Sequence, residues 1–299
     1  MNKKKGFGLI ELMVSILIAS IIVTGLYSLL TSSVVNYGFS NASSGAAKTS
    51  RQVGNIFNTL ISQAGFIGYK KVMAGATHPS RNSAYREGYG DVNPDWSDGQ
   101  VIMGSEDGTI LKIRFYGSSI GDDLINSGDT ATNGYILDCR GIGVPNNVEL
   151  ELEFFVDGNN GLVCRQNILA GPFDAQDANF LIDPTVRRLE VLFGVSVPGN
   201  NAINNNNGYY RADGIIAAGG VSWTDVSNVR YALVTSVDTG QRMVSAQNNS
   251  LVVFRNDEFV DVNNVGDINY LIANTEQSFV HRVMKGDISI LNQYQYENP

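Results

Sequence analysis

The sequence predicts an α+β protein in which one long N-terminal helix packs on a head made mainly of antiparallel β-sheet. Two patterns carry this prediction. From Phe7 to Ala47 the only charged residue is Glu11, and 12–30 is a stretch of 19 residues with neither charge nor proline. After about residue 70, apolar residues recur at every second position instead, which is typical of β-strands. The 299 residues suffice for one large domain or two small ones.

The stretch 12–30 has about the length that a helix needs to cross a bilayer. Lys3, Lys4 and Lys5 precede it and no basic residue follows closely, so the N-terminus is expected in the cytoplasm. The run is longer than the core of a secretory signal, and no small-residue cleavage site follows it. A plain single-pass anchor remains an alternative, in which Glu11 is tolerated merely because it lies near the membrane edge.

The helix is predicted to continue as an amphipathic segment. Its apolar residues follow helical spacing, and polar residues occupy the opposite face. The apolar stripe is Val53, Ile56, Phe57, Leu60, Ile61 and Ala64, and the polar face is Arg51, Gln52, Asn55, Asn58 and Gln63. We expect a helix over 7–66 that ends near Gly65 or Gly68, with 9–35 in a membrane or filament core. Such a helix would be roughly 87 Å long.

The remaining chain, 67–299, is expected to form the β-rich head. Alternation predicts a hairpin in which 148–154 and 162–165 pair across a turn at 157–161. Further strands are predicted at 110–116, 189–197, 229–237, 251–254 and 279–291. Two polar stretches, 75–100 and the Asn-rich 199–208, are expected to be surface loops.

Composition excludes several functions. The net charge of −8 and the pI of about 4.8 argue against direct binding of nucleic acid, which requires clustered basic residues. Two His and two Cys leave little for metal or acid–base chemistry. We therefore expect no cofactor and no enzymatic activity.

The segment from Lys4 to Val14, Lys-Lys-Gly-Phe-Gly-Leu-Ile-Glu-Leu-Met-Val, resembles the N-terminal signature of type IV prepilins. This resemblance implies that a prepilin peptidase removes the leader 1–6 by cutting between Gly6 and Phe7. It also implies that the same enzyme N-methylates Phe7. The apolar helix then stays on the mature protein, which lies in the inner membrane with its head in the periplasm before it enters a pilus at the cell surface.

Glu11 is expected to set the register of assembly. A carboxylate one turn inside an apolar helix costs roughly 2.5–3.5 kcal/mol on insertion scales, so it needs a partner. Cleavage exposes the α-amino group of Phe7, and in a stack of staggered helices Glu11 of one subunit can meet that amine on another. A buried carboxylate left unpaired is heavily penalised, which would enforce the register.

The head is similar to those of PilW-type minor pilins, on three features. They are the spacing of Cys139 and Cys164, the segment Asn228–Val234, and the closing segments 280–283 and 288–292. The resemblance implies a minor pilin that helps initiate pilus assembly, with other minor pilins, the major pilin and a large tip adhesin as partners. Rival interpretations are a minor pseudopilin of a type II secretion system, a competence pseudopilus subunit, and a tip subunit that binds a ligand through Tyr85, Tyr89 and Trp96 on an exposed loop.

The two cysteines lie in the part of the chain expected in the oxidising periplasm. A bond between Cys139 and Cys164 would close a loop of about 26 residues and add roughly 3.5 kcal/mol of stability in the chain-entropy model. We expect a structural disulfide, with free or reactive thiols as the alternative.

Two further motifs are weak. Asp91, Asn93, Asp95 and Asp98 resemble the start of a calcium loop, but Trp96 and Ile102 occupy positions where such a loop needs Gly and Glu. Residues 117–121 match G-x-S-x-G around Ser119, as in a hydrolase elbow, but no helix pattern follows. The available bases would be His78 and His281. We expect a solvated turn in the first case and no catalysis in the second.

Overall fold

The fold is seen in a computed structural model that describes residues 8–66, 96, 100–117, 135–145, 148–158, 161–170, 179–196, 206–217, 222–239, 250–272 and 279–290. The first element, α1, is a continuous helix of 53 residues, Leu9–Ile61, about 80 Å long. It ends at Ile61, earlier than the predicted Gly65 or Gly68. The chain turns after Ser62, and Gly65 takes the left-handed conformation that terminates many helices.

A first sheet has five strands in the order β1-β2-β3-β4-β5, and all neighbours are antiparallel. The strands are β1 (Ile102–Gly104), β2 (Leu111–Tyr116), β3 (Glu149–Asp157), β4 (Gly161–Ala170) and β5 (Asn179–Asp183). The predicted hairpin is β3–β4, which closes where Asp157 faces Gly161. Local turn residues and alternation were therefore sufficient to predict this unit.

A second sheet has four antiparallel strands in the order β11-β8-β6-β7, and a two-stranded ribbon of β9 and β10 lies beside it. The strands are β6 (Val186–Ser196), β7 (Asn206–Tyr210), β8 (Val226–Asp238), β9 (Ser250–Phe254), β10 (Ile268–Leu271) and β11 (Phe279–Ser289). A short helix, α2 (Ala212–Ala217), follows β7. The loop predicted for 199–208 is wrong in its last part, because Asn206 begins β7 and pairs with β6.

The main hydrophobic core lies between the second half of α1 and both sheets. Val53, Phe57, Leu60, Ile61 and Ala64 are buried there, as the stripe predicted. A smaller core fills the space between the second sheet and the ribbon, around Val234, Phe254 and Ile268. The predicted α+β class, with a long helix packed on antiparallel sheets, is confirmed.

Two residues of the amphipathic pattern were assigned to the wrong face. Ile56 is 37% exposed, because it lies at the edge of the stripe. Gln63 is buried, because its side chain bonds the backbone of Leu137. Its Oε1 accepts from the Leu137 N–H at 2.6 Å, and its Nε2 donates to the Leu137 carbonyl at 3.1 Å. Helical spacing alone does not reveal such a long-range polar partner.

Candidate functional site: the exposed helix and its junction with the head

The first half of α1 has no partner within the described chain. Every residue from 8 to 37 is exposed, and Leu9 and Ile10 are 78% and 76% exposed. In the described part of the chain, α1 is the one helix that is long and apolar enough to span a membrane. An apolar surface of this size is not stable in water, so lipid or other helices must cover it.

Several polar side chains of this exposed half bond within the helix itself. Ser15 donates to the Glu11 carbonyl, Thr24 to the Ser20 carbonyl and Thr31 to the Tyr27 carbonyl, at 2.7 to 3.0 Å. Hydroxyl groups satisfied in this way can enter hydrocarbon without losing a hydrogen bond. The segment is therefore suited to an apolar environment despite its Ser and Thr content.

Glu11 lies in the first turn of α1. Its Oε2 accepts a hydrogen bond of 3.0 Å from the N–H of Gly8, the residue that caps the helix. A carboxylate is stabilised there, because the N-terminal end of a helix carries partial positive charge and unpaired N–H groups. The leader residues Lys3, Lys4, Lys5 and Gly6, and Phe7 beside them, lie outside the described residues. Their cleavage and methylation remain predictions.

The second half of α1 is fastened to the second sheet. Its first buried residue is Ala42, and burial continues along one face to Ile61. The Ser50 and Thr235 hydroxyls share a buried hydrogen bond of 3.1 Å. Phe57 packs edge-on against Tyr231 of the second sheet, at 4.8 Å, and against Phe154 of the first, at 5.0 Å. Phe57 of α1 is therefore in contact with both sheets.

One face of the first sheet holds a row of buried charges. Glu149, Glu151 and Glu153 alternate along β3 and share this face, and they are only 1%, 2% and 8% exposed. The carboxylate of Glu149 lies 3.6 Å from the Arg114 guanidinium and accepts from the Tyr116 hydroxyl at 2.6 Å. Burial, followed by the bond to Glu149, raises the pKa of Tyr116 above its usual range.

The other two glutamates of this row also have partners. Glu151 accepts from Asn167 at 2.8 Å and from the indole N–H of Trp96. Glu153 accepts from Arg165 at 2.9 Å. The row is therefore a set of structural contacts in which each carboxylate accepts at least one hydrogen bond. A signal for it was present in the sequence, because Lys112 and Arg114 alternate on β2 opposite the glutamates of β3.

Trp96 does not lie on an exposed loop. It is 2% exposed, and the Arg114 guanidinium lies over its ring at 5.0 Å from the centroid. Gln100, at the end of the same predicted loop, is also buried. Trp96 is therefore not available to a ligand, and that part of the adhesive interpretation is wrong. Tyr85 and Tyr89 lie outside the described residues.

The structure does not support the calcium-loop candidate or the G-x-S-x-G motif as a functional site. The calcium candidates Asp91, Asn93, Asp95 and Asp98 lie outside the described residues, and the described ones contain no group of three His, Cys, Asp or Glu that could hold a metal ion. Ser119 and His78 are also outside. His281 lies in β11, in the second sheet, with its ring 6.0 Å from that of Tyr270. Gly117 follows β2 in the first sheet.

The predicted disulfide between Cys139 and Cys164 is present, with a Cα–Cα distance of 5.8 Å, and no cysteine is free. The alternative of reactive thiols is therefore wrong for this structure. Cys164 lies in β4 and is fully buried. The bond fastens 135–145 to the first sheet.

Comparison with known proteins supports the prediction that the N-terminus carries a prepilin-type signature. A prokaryotic N-terminal methylation motif, the signal of type IV pilins, matches residues 1–27, which include Gly6, Phe7 and Glu11. No curated protein matches the chain. Among solved structures, a type IV-like pilin from Thermus thermophilus is similar with a TM-score of 0.35 and 9% identity, over 83% of this chain and 98% of that one. A likeness at this level says nothing about function, so the motif is what links this chain to pilins.

Sequence reasoning missed the contacts that hold the helix to the head. Thr235 and Tyr231 lie on one strand, and their partners Ser50 and Asn58 are more than 170 residues away in the chain. Tyr231 belongs to the segment Asn228–Val234, but neither that resemblance nor any other motif indicated a contact with the helix. Only the helical spacing of Val53, Phe57 and Leu60 indicated which face of the helix would be covered.

Proposed function

We propose that this protein is a minor pilin that helps initiate type IV pilus assembly. The observation that carries the proposal is an N-terminal methylation motif that opens directly into a mainly apolar helical segment, 8–37, in which every residue is exposed. Such a helix requires lipid before assembly and neighbouring helices afterwards. The partners of this segment are then other pilins, and the enzyme that prepares it is prepilin peptidase.

In this mechanism, Lys3, Lys4 and Lys5 keep the N-terminus in the cytoplasm while the head folds in the periplasm. Cleavage between Gly6 and Phe7 leaves an N-methylated amine on Phe7. Glu11 now caps its own helix through the Gly8 N–H, and its second carboxylate oxygen can accept the amine of a neighbouring subunit. The pairing neutralises the carboxylate inside the apolar bundle of helices and thereby sets the axial register of the subunits.

We further propose that the protein works in a tip complex with other minor pilins and a large adhesin. The resemblance of Asn228–Val234 and of the closing strand to PilW-type minor pilins supports this role. The head of more than 200 residues supports it too, because a large head suits a capping position better than a regular lattice site. Twitching motility and adhesion would depend on the protein indirectly, through the presence of pili.

A minor pseudopilin of a type II secretion system is the second candidate, because the same N-terminal motif serves both systems. A deletion of the gene, scored for surface pili by electron microscopy and for secreted enzyme activity, separates the two. Loss of pili with normal secretion supports the minor pilin. Loss of secretion with normal pili would assign the protein to the secretion system, and a defect in DNA uptake alone would assign it to a competence pseudopilus.

The role of Glu11 is tested by complementing that deletion. We expect Glu11→Ala to be cleaved normally and to enter filaments poorly. Ser15→Ala is the matched control, because Ser15 lies one turn further along and only bonds its own helix. Normal incorporation of Glu11→Ala would remove the register mechanism.

A further inference from the structure

One contact between the two sheets of the head is made by the turn between β1 and β2. In this turn, 105–109, the Gly108 carbonyl accepts a hydrogen bond of 2.9 Å from the Val191 N–H of β6. This N–H lies on the edge of β6 away from β8, where Phe193, two residues further along, pairs with β7. The turn of the first sheet therefore extends the edge of the second. We call this contact, made by 105–109 and Val191, the joint.

A buried carboxylate lies at the joint. Glu190 directly precedes Val191 and is 1% exposed. A Cβ atom placed on Gly108 would lie 3.0 Å from Oε2 of Glu190, so this oxygen packs against the backbone of the turn. The charged form of a carboxylate is costly in such a place, because burial removes the water that would solvate it.

The cation that contacts Glu190 offsets part of this cost. Arg188, two residues earlier on β6, donates to Oε1 of Glu190 from Nε at 2.8 Å and also from Nη2. Its side chain is 38% exposed, so solvent screens the attraction between the two charges. The other carboxylate oxygen, Oε2, is the one that faces the turn.

The turn itself contributes a second carboxylate, that of Asp107. This side chain accepts hydrogen bonds from the Ser105 and Thr109 hydroxyls at 2.6 and 2.7 Å. Burial acts against the ionisation of Asp107, but these hydrogen bonds outweigh it and lower the pKa of this carboxyl. Asp107 therefore stays charged, and its charge disfavours a second negative charge on Glu190.

The remaining neighbours of Glu190 compensate its charge only weakly. Arg211, just before α2, attracts it, but the Arg211 guanidinium also donates to the Glu106 carbonyl at 3.4 Å and lies 3.7 Å from the Asp213 carboxylate. On the side of β8, the residue opposite Glu190 is the uncharged Ala232. Burial, which the two arginines offset only in part, therefore raises the pKa of Glu190 above its ordinary value.

We propose that Glu190 makes the joint between the two sheets sensitive to acid: it binds a proton when the medium is acidified, and the turn 105–109 then packs more tightly on β6. A carboxyl whose pKa is higher in the folded than in the unfolded state binds more protons when folded. Stability should therefore rise as pH falls through the folded pKa, and the gain is complete below the ordinary value of 4.5. The joint lies within the head and does not involve the exposed helix.

The test is Glu190→Gln, which keeps the size of the side chain and removes its charge. The full chain, with its disulfide intact and in detergent micelles, is unfolded by urea between neutral pH and the pH at which Glu190 is protonated. We expect the variant to be more stable than the wild type at neutral pH, and this difference to disappear on acidification. A variant that is less stable than the wild type at neutral pH would overturn the proposal, because Glu190 would then act chiefly as a stabilising partner of Arg188.

Glu258→Gln is the matched control, with the opposite sign. Both carboxylate oxygens of Glu258 lie 2.7 Å from Nζ of Lys285. Burial acts to raise the pKa of Glu258, but the hydrogen bonds from Lys285 and from the Arg255 N–H outweigh it and lower this pKa. The control variant should therefore be less stable than the wild type at neutral pH.

A local measurement places the effect at the joint. Hydrogen–deuterium exchange is followed by mass spectrometry in peptides that cover 102–116, with 149–157 of the first sheet as the internal reference. After correction for the intrinsic pH dependence of exchange, protection of the turn relative to the reference should rise several-fold on acidification in the wild type and stay constant in Glu190→Gln. A turn whose relative protection does not change with pH in the wild type would overturn the proposal. Neither measurement involves pili, so both results leave the proposed function unchanged.

Discussion

The hydroxyl group of Tyr231 donates a hydrogen bond of 3.0 Å to the side-chain oxygen of Asn58. Tyr231 lies in the second strand of its sheet, and Asn58 lies in the last turns of the long helix. Together with the contact between the Tyr231 and Phe57 rings, this bond makes the head and the second half of the helix one unit. The first half of the helix, which has no such contact with the head, is then left to interact with lipid or with other subunits.

At alkaline pH, the free energy of unfolding should depend on the ionisation of the Tyr231 hydroxyl group. Burial raises the pKa of Tyr231 from 10.0 to about 12. A group whose pKa is higher in the folded state stabilises the fold fully below its unfolded pKa and loses that effect as pH rises through its folded pKa. Stability should therefore fall from pH 10 to about pH 12, and less steeply in Tyr231→Phe than in the wild type.

This comparison uses urea unfolding of the full chain in detergent micelles. At neutral pH, Tyr231→Phe should lower the unfolding free energy by about 1 kcal/mol, the typical value of one hydrogen bond. The pKa of Tyr116 is also raised by burial, but Tyr116 is unchanged in both proteins. Parallel pH curves for the wild type and the variant would contradict the assignment to Tyr231.

Gly286→Ala should loosen the same junction. A Cβ atom at Gly286 would lie 2.4 Å from both Cζ and Oη of Tyr231, too close for any real contact. The ring cannot move freely, because it packs against Phe57. We expect a loss of about 1–3 kcal/mol in urea unfolding.

The matched control for this variant is Gly45→Ala on the helix, where nothing lies within 4 Å of the new methyl group. It should be neutral or slightly stabilising, because Ala is the better helix former. Equal losses in both variants would mean that contact with Tyr231 is not the cause.

Removing one partner of the buried pair Arg114–Glu149 should be costly. Both side chains are almost fully buried, at 0% and 1% exposure. Arg114→Met leaves the Glu149 carboxylate without its cation, and such a change costs about 3–5 kcal/mol. The double variant Arg114→Met with Glu149→Leu should recover much of this loss, as measured by urea unfolding.

An exposed ion pair in the second sheet provides the contrast. Asp287 pairs with Arg230 and is 54% exposed, so Asp287→Asn should cost about 1 kcal/mol or less. If Arg114→Met cost no more than Asp287→Asn, the buried row would not be a structural element of the head.

Loss of the disulfide should destabilise the head without changing its fold. Replacing both Cys139 and Cys164 with Ala should lower the unfolding free energy by about 3.5 kcal/mol for a loop of this length. Reduction of the wild-type protein should give a similar loss, whereas the double variant should be insensitive to reductant. A wild-type urea midpoint that reductant leaves unchanged would contradict this role.

The fold could be predicted where the information is local. The charge-free run and the stripe of Val53 and Phe57 are sufficient to predict a helix and its buried face, and the turn at 157–161 is sufficient to predict the hairpin. The positions of Trp96 and Gln63 could not be predicted in this way. Both are buried by partners distant in sequence, Glu151 and Leu137, and periodicity does not report long-range polar contacts.

The candidate site also has one part that local sequence can predict and one part that it cannot. The prediction for Glu11 rests on local information, because its signal is its spacing from Gly6 and Phe7 within a short segment. The junction was not, because Thr235 and Tyr231 belong to a strand whose position beside the helix depends on the packing of both sheets.

The central claim is that this chain is processed as a pilin and enters the filament through its exposed helix. The most direct measurement is mass spectrometry of the protein's N-terminal peptide in pili sheared from the cell surface and in the membrane fraction. The account predicts that the chain is present in the sheared pili and begins with N-methylated Phe7. A chain found only in membranes, with residues 1–6 still attached, would contradict it.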